Sequence, residues 1–180
     1  VNRILGEERM IVSNMAGTTR DAIDSRFENN HGKYVFIDTA GMRKKSKVDD
    51  RIEKFSVLRA TMAIERSDVC LIMIDATEGV TEQDTKVAGL AHEAGKASII
   101  VINKWDLVED KSTIVMKTFE EAIRERMAPF TDFPIIYASA LTKQRIFKVL
   151  ETAKEVYENR RRRVSTGRLN EEMLPLIEAY

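Results

Sequence analysis

Four consecutive residues, Asn103-Lys104-Trp105-Asp106, place an amide, an ammonium and a carboxylate within one short segment. A carboxylate offers two acceptor atoms side by side, and guanine offers two donors side by side, its ring N1–H and its exocyclic amine. Asp106 could therefore hold guanine through one bidentate, charge-assisted contact, whereas adenine would leave that carboxylate unpaired and could be rejected by roughly 10⁴- to 10⁵-fold. Asn103 would tie neighbouring loops together, and the stem of Lys104 would cover the base. The alternative interpretation is a solvated loop that follows a strand.

Three further segments suit phosphate, metal and base contacts. Asp38 precedes Gly41 by three residues; such an aspartate can hold a water on Mg²⁺, and a glycine lets its N–H approach a terminal phosphate. A turn-forming Asp or Gly is the competing interpretation. The segment Gly17-Thr18-Thr19-Arg20-Asp21 offers hydroxyls that can complete a Mg²⁺ shell, or is a loop that leads into a strand. The segment Ser139-Ala140-Leu141 offers backbone N–H groups to a base oxygen.

The elements predicted around these segments would place them on one edge of a sheet. Continuous apolar runs predict strands over Val69–Asp75 and Ser98–Asn103, and shorter ones over Tyr34–Asp38 and Ile135–Ser139, a pattern typical of buried parallel strands. Ligands of open α/β sheets bind beyond the carboxyl ends of the strands. The segments that begin at Asp38, Asn103 and Ser139 all follow strand ends, so we expect them on the same edge.

Other patterns complete a wound α/β fold. Helices are predicted from a cap at Thr81 to a stop at Gly95, and over Val115–Met127, Phe147–Arg162 and Ile52–Ile64. The stretch Ala22–Glu28, followed by Asn29-Asn30-His31-Gly32 and the strand at Tyr34, predicts a β-hairpin that makes one edge of the sheet antiparallel.

Composition limits the class of protein. The chain has 180 residues, 43% of them hydrophobic, with 29 basic and 29 acidic side chains. This balance excludes a disordered chain and a uniformly basic nucleic-acid coat, and the apolar runs are far shorter than the ~20 residues that span a bilayer. A single cysteine, Cys70, cannot form an internal disulfide, which favours a reducing compartment and therefore the cytoplasm.

The last part of the chain differs in composition. The run Arg160–Arg163 ends the last long predicted helix, a break follows at Val164–Gly167, and a helical pattern restarts over Asn170–Tyr180. We therefore predict a main domain over 1–163 and the beginning of another over 164–180.

The order and the spelling of the segments resemble one family. The segments Thr18–Asp24, Asp38–Lys45, Asn103–Asp106 and Ser139–Thr142 are similar to those of the Der (EngA) family of ribosome-assembly GTPases. The spelling with Trp105 and Met42-Arg43-Lys44-Lys45 resembles the second G domain of that family, and the stretch Arg163–Asn170 resembles the entry into its C-terminal KH-like domain.

The resemblance implies a P-loop NTPase fold, GTP hydrolysis and a set of residue roles. Thr19 would bind Mg²⁺ directly, and Asp38 would bind it through water. The nucleotide would be contacted by the following residues: Asp38, Thr39, Ala40, Gly41, Met42, Asn103, Lys104, Trp105, Asp106, Ser139, Ala140 and Leu141. The implied ligands are GTP or GDP, Mg²⁺ and K⁺. The implied partners are the large (50S) ribosomal subunit, its RNA, and the first G domain and KH-like domain of the same protein, with no membrane contact.

Two departures from a complete GTPase are visible. Met42 stands where a water-positioning glutamine would follow Gly41, so backbone, K⁺ or a partner would orient the water. The printed sequence contains no Gly-x-x-x-x-Gly-Lys-Ser/Thr, which predicts that the phosphate loop and first strand lie upstream, and that these 180 residues alone bind nucleotide weakly and hydrolyse essentially none. The alternatives are a potassium-dependent GTPase of tRNA modification and a non-hydrolysing scaffold that binds RNA or ribosomes.

Overall fold

The computed structural model describes residues 23–30, 32–38 and 60–179, together with Ile4 and Leu58. Several of the predicted features fall outside these residues: Thr19, Thr39, Ala40, Gly41, Met42, the basic residues 43–47 and the first part of the helix predicted over Ile52–Ile64. They remain predictions.

The first two strands form the predicted hairpin, but among the described residues it is a separate two-stranded sheet and is not hydrogen-bonded to the parallel strands as an antiparallel edge. Strand β1 (Ile23–Asn29) pairs antiparallel with β2 (Gly32–Asp38), with Ile23 opposite Asp38 and Asn29 opposite Gly32. The Gly32 N–H donates to the Asn29 side chain at 3.1 Å, which closes the turn. An ion pair between Asp24 and Arg66 connects the hairpin to a helix, α1, which is described over residues 60–66.

The parallel sheet has three strands. Strands β3 (Val69–Asp75), β4 (Ala97–Asn103) and β5 (Ile135–Tyr137) are hydrogen-bonded in the order β3-β4-β5. The predicted bounds of β3 are confirmed, and β4 begins one residue earlier than predicted. Among the described residues, β3 has no strand beside it on the side away from β4.

Helices cover both faces of this sheet. Helices α2 (Glu82–Glu93) and α3 (Thr113–Met127) lie on one face, where Ile123 and Met127 pack in a cluster with Ile72 and Ile100. Helix α4 (Ile146–Arg161) lies on the other face, where Val149 packs with Ile99 and Val101. The wound α/β layers predicted from the sequence are therefore present.

Helix ends follow local side-chain chemistry. The Thr81 hydroxyl accepts from the Asp84 N–H while the Asp84 carboxylate accepts from the Thr81 N–H, a reciprocal cap that starts α2. Helix α3 begins at Thr113, two residues before the prediction, because Ser112 caps it through the Val115 N–H.

Two further predicted boundaries were wrong, at the end of β5 and at the start of the last helix. Strand β5 ends at Tyr137 and not at Ser139, because Ser139 leaves the ladder and forms a bridge with Gln144. The last helix, α5, spans Thr166–Glu178 and so begins four residues before Asn170. Ser165 caps it through the Arg168 N–H at 3.4 Å, so Gly167 lies in the first turn and does not extend the break.

No helix in the described part of the chain is long and apolar enough to cross a membrane.

Candidate functional site

The ends of the three parallel strands lie at one edge of the sheet, which agrees with the prediction for the segments at Asn103 and Ser139, whereas Asp38 ends a strand of the separate hairpin. Backbone hydrogen bonds join the three parallel strand ends beyond the last paired residues. The Ala76 N–H donates to the Asn103 carbonyl at 2.9 Å, and the Ala138 N–H donates to the Ile102 carbonyl at 2.8 Å. The Trp105 N–H then donates to the Ala138 carbonyl at 3.1 Å. The loops that follow β3, β4 and β5 are thus fixed relative to one another.

The loop after β4 turns sharply at Lys104. Lys104 adopts a left-handed conformation with φ 62° and ψ 28°, and residues Trp105–Leu107 form a single 3-10 turn. The Trp105 side chain is 2% exposed and packs against Tyr137 and Phe119, with ring centroids 4.4 and 5.5 Å away. Trp105 therefore anchors the turn in the core between two residues of opposite charge, Lys104 and Asp106. The buried indole supports this segment, and the predicted contact of Trp105 with the nucleotide stays a prediction.

Asp106 carries an unsatisfied acceptor. Its Oδ1 atom is buried and has no hydrogen-bond partner among the described residues. A buried oxygen of a charged carboxylate without a donor is costly, by roughly 1–3 kcal/mol or more, and such atoms call for an explanation. A ligand with N–H donors at this position would satisfy it, and two adjacent donors would use both carboxylate oxygens.

Lys104 is held by a residue that the sequence interpretation missed. Its Nζ atom lies 2.6 Å from Oδ2 of Asp75, whose side chain is 2% exposed, whereas the Lys104 side chain is 49% exposed. The Oδ1 atom of Asp75 accepts from the Thr77 N–H at 3.0 Å and from the Thr77 hydroxyl at 2.7 Å. The available signal was an aspartate at the end of a buried strand.

The electrostatics of Asp75 reflect these contacts. Burial by itself would raise the pKa of Asp75, but the hydrogen bonds from Lys104 and Thr77 and the Lys104 charge outweigh it and lower the pKa to about 2. Asp75 is therefore ionised at neutral pH, and its charge offsets that of Lys104.

Asn103 ties two loops together, which confirms one predicted role. Its Oδ1 atom accepts from the Ala140 N–H at 3.0 Å. Ser139 is fully buried; its N–H donates to the Gln144 carbonyl, and its hydroxyl accepts from the Thr142 N–H at 3.0 Å. The N–H groups of Ser139 and Ala140 are thus used within the protein, and Leu141 is exposed.

The predicted phosphate and metal residues are placed only in part. Asp38 is the last residue of β2, as predicted for an aspartate at a strand end. Thr19 and residues 39–42 lie outside the described residues. The structure therefore brings together the residues predicted to recognise the base, and their relation to the predicted phosphate residues stays a prediction.

Comparison with known proteins identifies relatives of the chain. A family model described as "50S ribosome-binding GTPase" matches residues 1–104. GTPase Der of Phocaeicola vulgatus is 59% identical over all 180 residues. The match covers 100% of this chain and 41% of that relative, so the chain spans less than half the length of the curated relatives it matches. The resemblance to Der predicted from the sequence is confirmed.

Solved structures of Era are similar in fold. One is Era in complex with MgGDPNP and nucleotides 1506–1542 of 16S ribosomal RNA; it is 28% identical, with a TM-score of 0.67, and the match covers 84% of this chain and 49% of that one. The other is a variant of Aquifex aeolicus Era bound to GDP and AlF4⁻, 29% identical with a TM-score of 0.69 and the same coverage. The predicted P-loop GTPase fold class is confirmed by these matches.

Proposed function

Since this chain belongs to the 50S ribosome-binding GTPase family, we propose that it forms the guanine-binding part of a GTPase that acts in assembly of the large ribosomal subunit. The buried, unsatisfied Oδ1 atom of Asp106 is the observation that carries the proposal. The site residues argued below follow from it.

Asp106 supplies specificity for guanine. Its carboxylate accepts from the N1–H and the exocyclic amine of the base, and these donors satisfy the buried Oδ1 atom. Adenine presents an acceptor where guanine has N1–H, so it would repel the carboxylate and leave it unpaired. Lys104 lies beside Asp106 with its stem half exposed, and the stem covers one face of the base.

The loop after β5 completes the base site. Asn103 holds this loop against the end of β4 through the Ala140 N–H. Because the N–H groups of Ser139 and Ala140 have partners within the protein, we assign the contact with the guanine carbonyl oxygen to the N–H of Leu141.

Phosphate and metal binding is assigned to the segments that precede and follow the hairpin. Asp38 would hold Mg²⁺ through water, Thr19 would bind it directly, and residues 39–42 would lie along the γ-phosphate. Mg²⁺ bound there would neutralise charge that develops on the phosphates. Met42 has no group that can orient water, so the chemistry leaves that task to the backbone, to K⁺ or to a partner.

The test exchanges the base that the site prefers. Asn at position 106 keeps one acceptor for N1–H and places an NH₂ donor where xanthine carries its C2 carbonyl. Asp106→Asn in the full-length gene product should therefore lose GDP affinity by about 100-fold or more and gain affinity for xanthosine diphosphate, measured by calorimetry. Glu109→Gln, which removes an exposed carboxylate three residues away, is the matched control. Equal binding of GDP, ADP and xanthosine diphosphate by the unaltered protein would refute the assignment.

Ribosomal RNA is the proposed partner of the basic residues. Arg160 donates to the Gly95 carbonyl at 2.9 Å and Arg161 to the Tyr157 hydroxyl at 2.8 Å, whereas Arg162 and Arg163 are exposed beyond the end of α4. Because Arg160 and Arg161 donate to groups within the protein, we assign the RNA phosphate contacts to Arg162 and Arg163. The basic residues Arg43, Lys44, Lys45 and Lys47, which lie outside the described residues, are a second candidate for RNA contacts.

Association with the large subunit tests this partner. Arg162→Glu with Arg163→Glu in the full-length gene product should weaken co-sedimentation with 50S subunits and reduce the salt dependence of binding, because each phosphate contact releases counterions. Lys86→Glu with Lys117→Glu reverses two exposed charges on α2 and α3 and should leave binding unchanged. Unchanged binding of the arginine variant would remove the α4 end from the interface.

The proposed domain boundary lies near Val164. Every residue of α5 is exposed, and Leu169, Met173, Leu176 and Ile177 form an apolar stripe at helical spacing. This supports the interpretation of residues 164–180 as the start of a KH-like domain, which would act beside the G domains of the same protein in the cytoplasm.

A further inference from the structure

We propose that Asp75 is a positioning residue of the guanine site: it holds the Lys104 side chain in the conformation that covers the base. This inference rests on the proposed function, because it concerns the same nucleotide. It assigns a nucleotide-binding role to a residue outside the segment Asn103–Asp106.

The sheet places Asp75 next to the turn that carries Lys104. Asp75 is the last residue of β3 and is paired in parallel register with Asn103, the last residue of β4. The Ala76 N–H donates to the Asn103 carbonyl at 2.9 Å, which fixes the two strand ends one position before the chain turns at Lys104. The carboxylate is therefore positioned by the sheet itself.

The two oxygens of Asp75 have separate tasks. Oδ1 accepts twice from Thr77, at 3.0 Å from its N–H and 2.7 Å from its hydroxyl. Those contacts set the orientation of the carboxylate and direct Oδ2 toward Lys104, whose Nζ lies 2.6 Å away. The anchor is 2% exposed and the lysine it holds is 49% exposed, so the ammonium is fixed at one end while the stem remains accessible to a ligand.

This arrangement prepares Lys104 before the nucleotide binds. A lysine side chain loses rotamer freedom when it is ordered at a binding site, and a lysine that is already ordered loses less. Releasing the anchor should therefore weaken nucleotide binding by about three- to tenfold. The loss of affinity should be the same for any base that lies under the Lys104 stem, because the stem covers the face of the base. Asp106, in contrast, binds the edge of the base.

A double-mutant cycle on the full-length gene product tests this. Asp75→Asn keeps an acceptor for Thr77 and nearly the same volume but removes the charge that holds Lys104. We expect Asp75→Asn to weaken GDP binding by about three- to tenfold, and to add no further loss to that of Lys104→Met when the two changes are combined. Calorimetry in Mg²⁺ buffer gives both affinities, and Glu121→Gln, which breaks an exposed ion pair with Lys117, is the control with no expected effect.

A second ligand distinguishes the loss of Lys104 positioning from a nonspecific loss of nucleotide affinity. Inosine diphosphate lacks the exocyclic amine that Asp106 would accept from. The ratio of GDP to inosine diphosphate affinity should therefore be unchanged by Asp75→Asn and reduced by Asp106→Asn. A purely structural role of Asp75 would lower affinity equally with and without the lysine, and that additive result, or full GDP affinity in Asp75→Asn, would overturn the inference.

Two further results keep the test decisive. If Asp75→Asn does not fold, Thr77→Val replaces it: this change removes one of the two hydrogen bonds that orient the carboxylate, and we expect about a twofold loss that again disappears in the Lys104→Met background. An additive loss with Thr77→Val overturns the inference in the same way. Failure of the unaltered protein to prefer GDP over ADP would instead refute the proposed function.

Discussion

Acid should destabilise this protein partly through Asp75. Its pKa of about 2 lies below the ordinary value of 3.8, so the unfolded chain binds a proton more readily than the folded one. The contribution of the ionised carboxylate is therefore fully present above about pH 5 and is lost as pH falls through 3.8 toward 2. With about 1.4 kcal/mol per pKa unit, the difference amounts to roughly 2 kcal/mol in the free energy of unfolding.

The assay compares two proteins across pH. Urea unfolding of the full-length gene product is followed by the fluorescence of Trp105, the only tryptophan in these 180 residues; any tryptophan elsewhere in the gene product is replaced by phenylalanine. Asp75→Asn cannot titrate at this position, so subtracting its unfolding free energy from that of the unaltered protein cancels the other carboxylates.

The measured quantity is the difference in the free energy of unfolding between the unaltered protein and Asp75→Asn. It should fall by about 1 kcal/mol between pH 6 and pH 3 and by about 2 kcal/mol between pH 6 and pH 2. A difference that stays constant over this range would show that Asp75 has the same proton affinity in both states, and the reasoning about Lys104 and Thr77 would be refuted.

Three smaller predictions concern single contacts. Asn103→Ala removes the acceptor of the Ala140 N–H and should lower the free energy of unfolding by about 1 kcal/mol, with a parallel loss of GDP affinity in calorimetry; unchanged affinity would separate this contact from the base site. Thr81→Ala removes the reciprocal cap with Asp84 and should cost about 1 kcal/mol in urea unfolding without altering nucleotide affinity. Leu150→Ala empties a position on α4 that is 1% exposed and should cost about 2–5 kcal/mol; a loss below 1 kcal/mol would show that the core around it collapses to fill the space.

Local pattern was sufficient to predict most of the frame. Strand β3 has the predicted bounds because a short, continuous apolar run that is partly β-branched is typical of a strand covered on both faces. The start of α2 was predicted at Thr81, since its hydroxyl caps the helix within four residues of sequence. The residues of the predicted base site follow β4 and β5, and they were expected together because the carboxyl ends of parallel strands lie at the same edge of a sheet.

Contacts between distant residues could not be read in the same way. Asp75 and Lys104 are 29 positions apart, and their ion pair depends on strand register and on the left-handed turn at Lys104. Ser139 leaves the sheet because its N–H finds the Gln144 carbonyl, a choice between two acceptors that no apolar pattern records. Helix α5 begins at Thr166 and not at Asn170 because the Ser165 hydroxyl accepts from the Arg168 N–H, a cap that outweighs the low helix propensity of Gly167.

The inward position of Trp105 links evolution of the loop to evolution of the interior. Lys104 and Asp106, on either side of it, belong to the predicted base site, while the indole packs edge-on against Phe119 and close to Tyr137. A smaller residue at 105 would leave a cavity beneath the segment that carries the Asp106 carboxylate. Substitutions that alter base preference and substitutions that alter core packing are therefore coupled. We therefore expect substitutions in this loop that change the ligand to be accompanied by substitutions at Phe119 and Tyr137 that restore the packing.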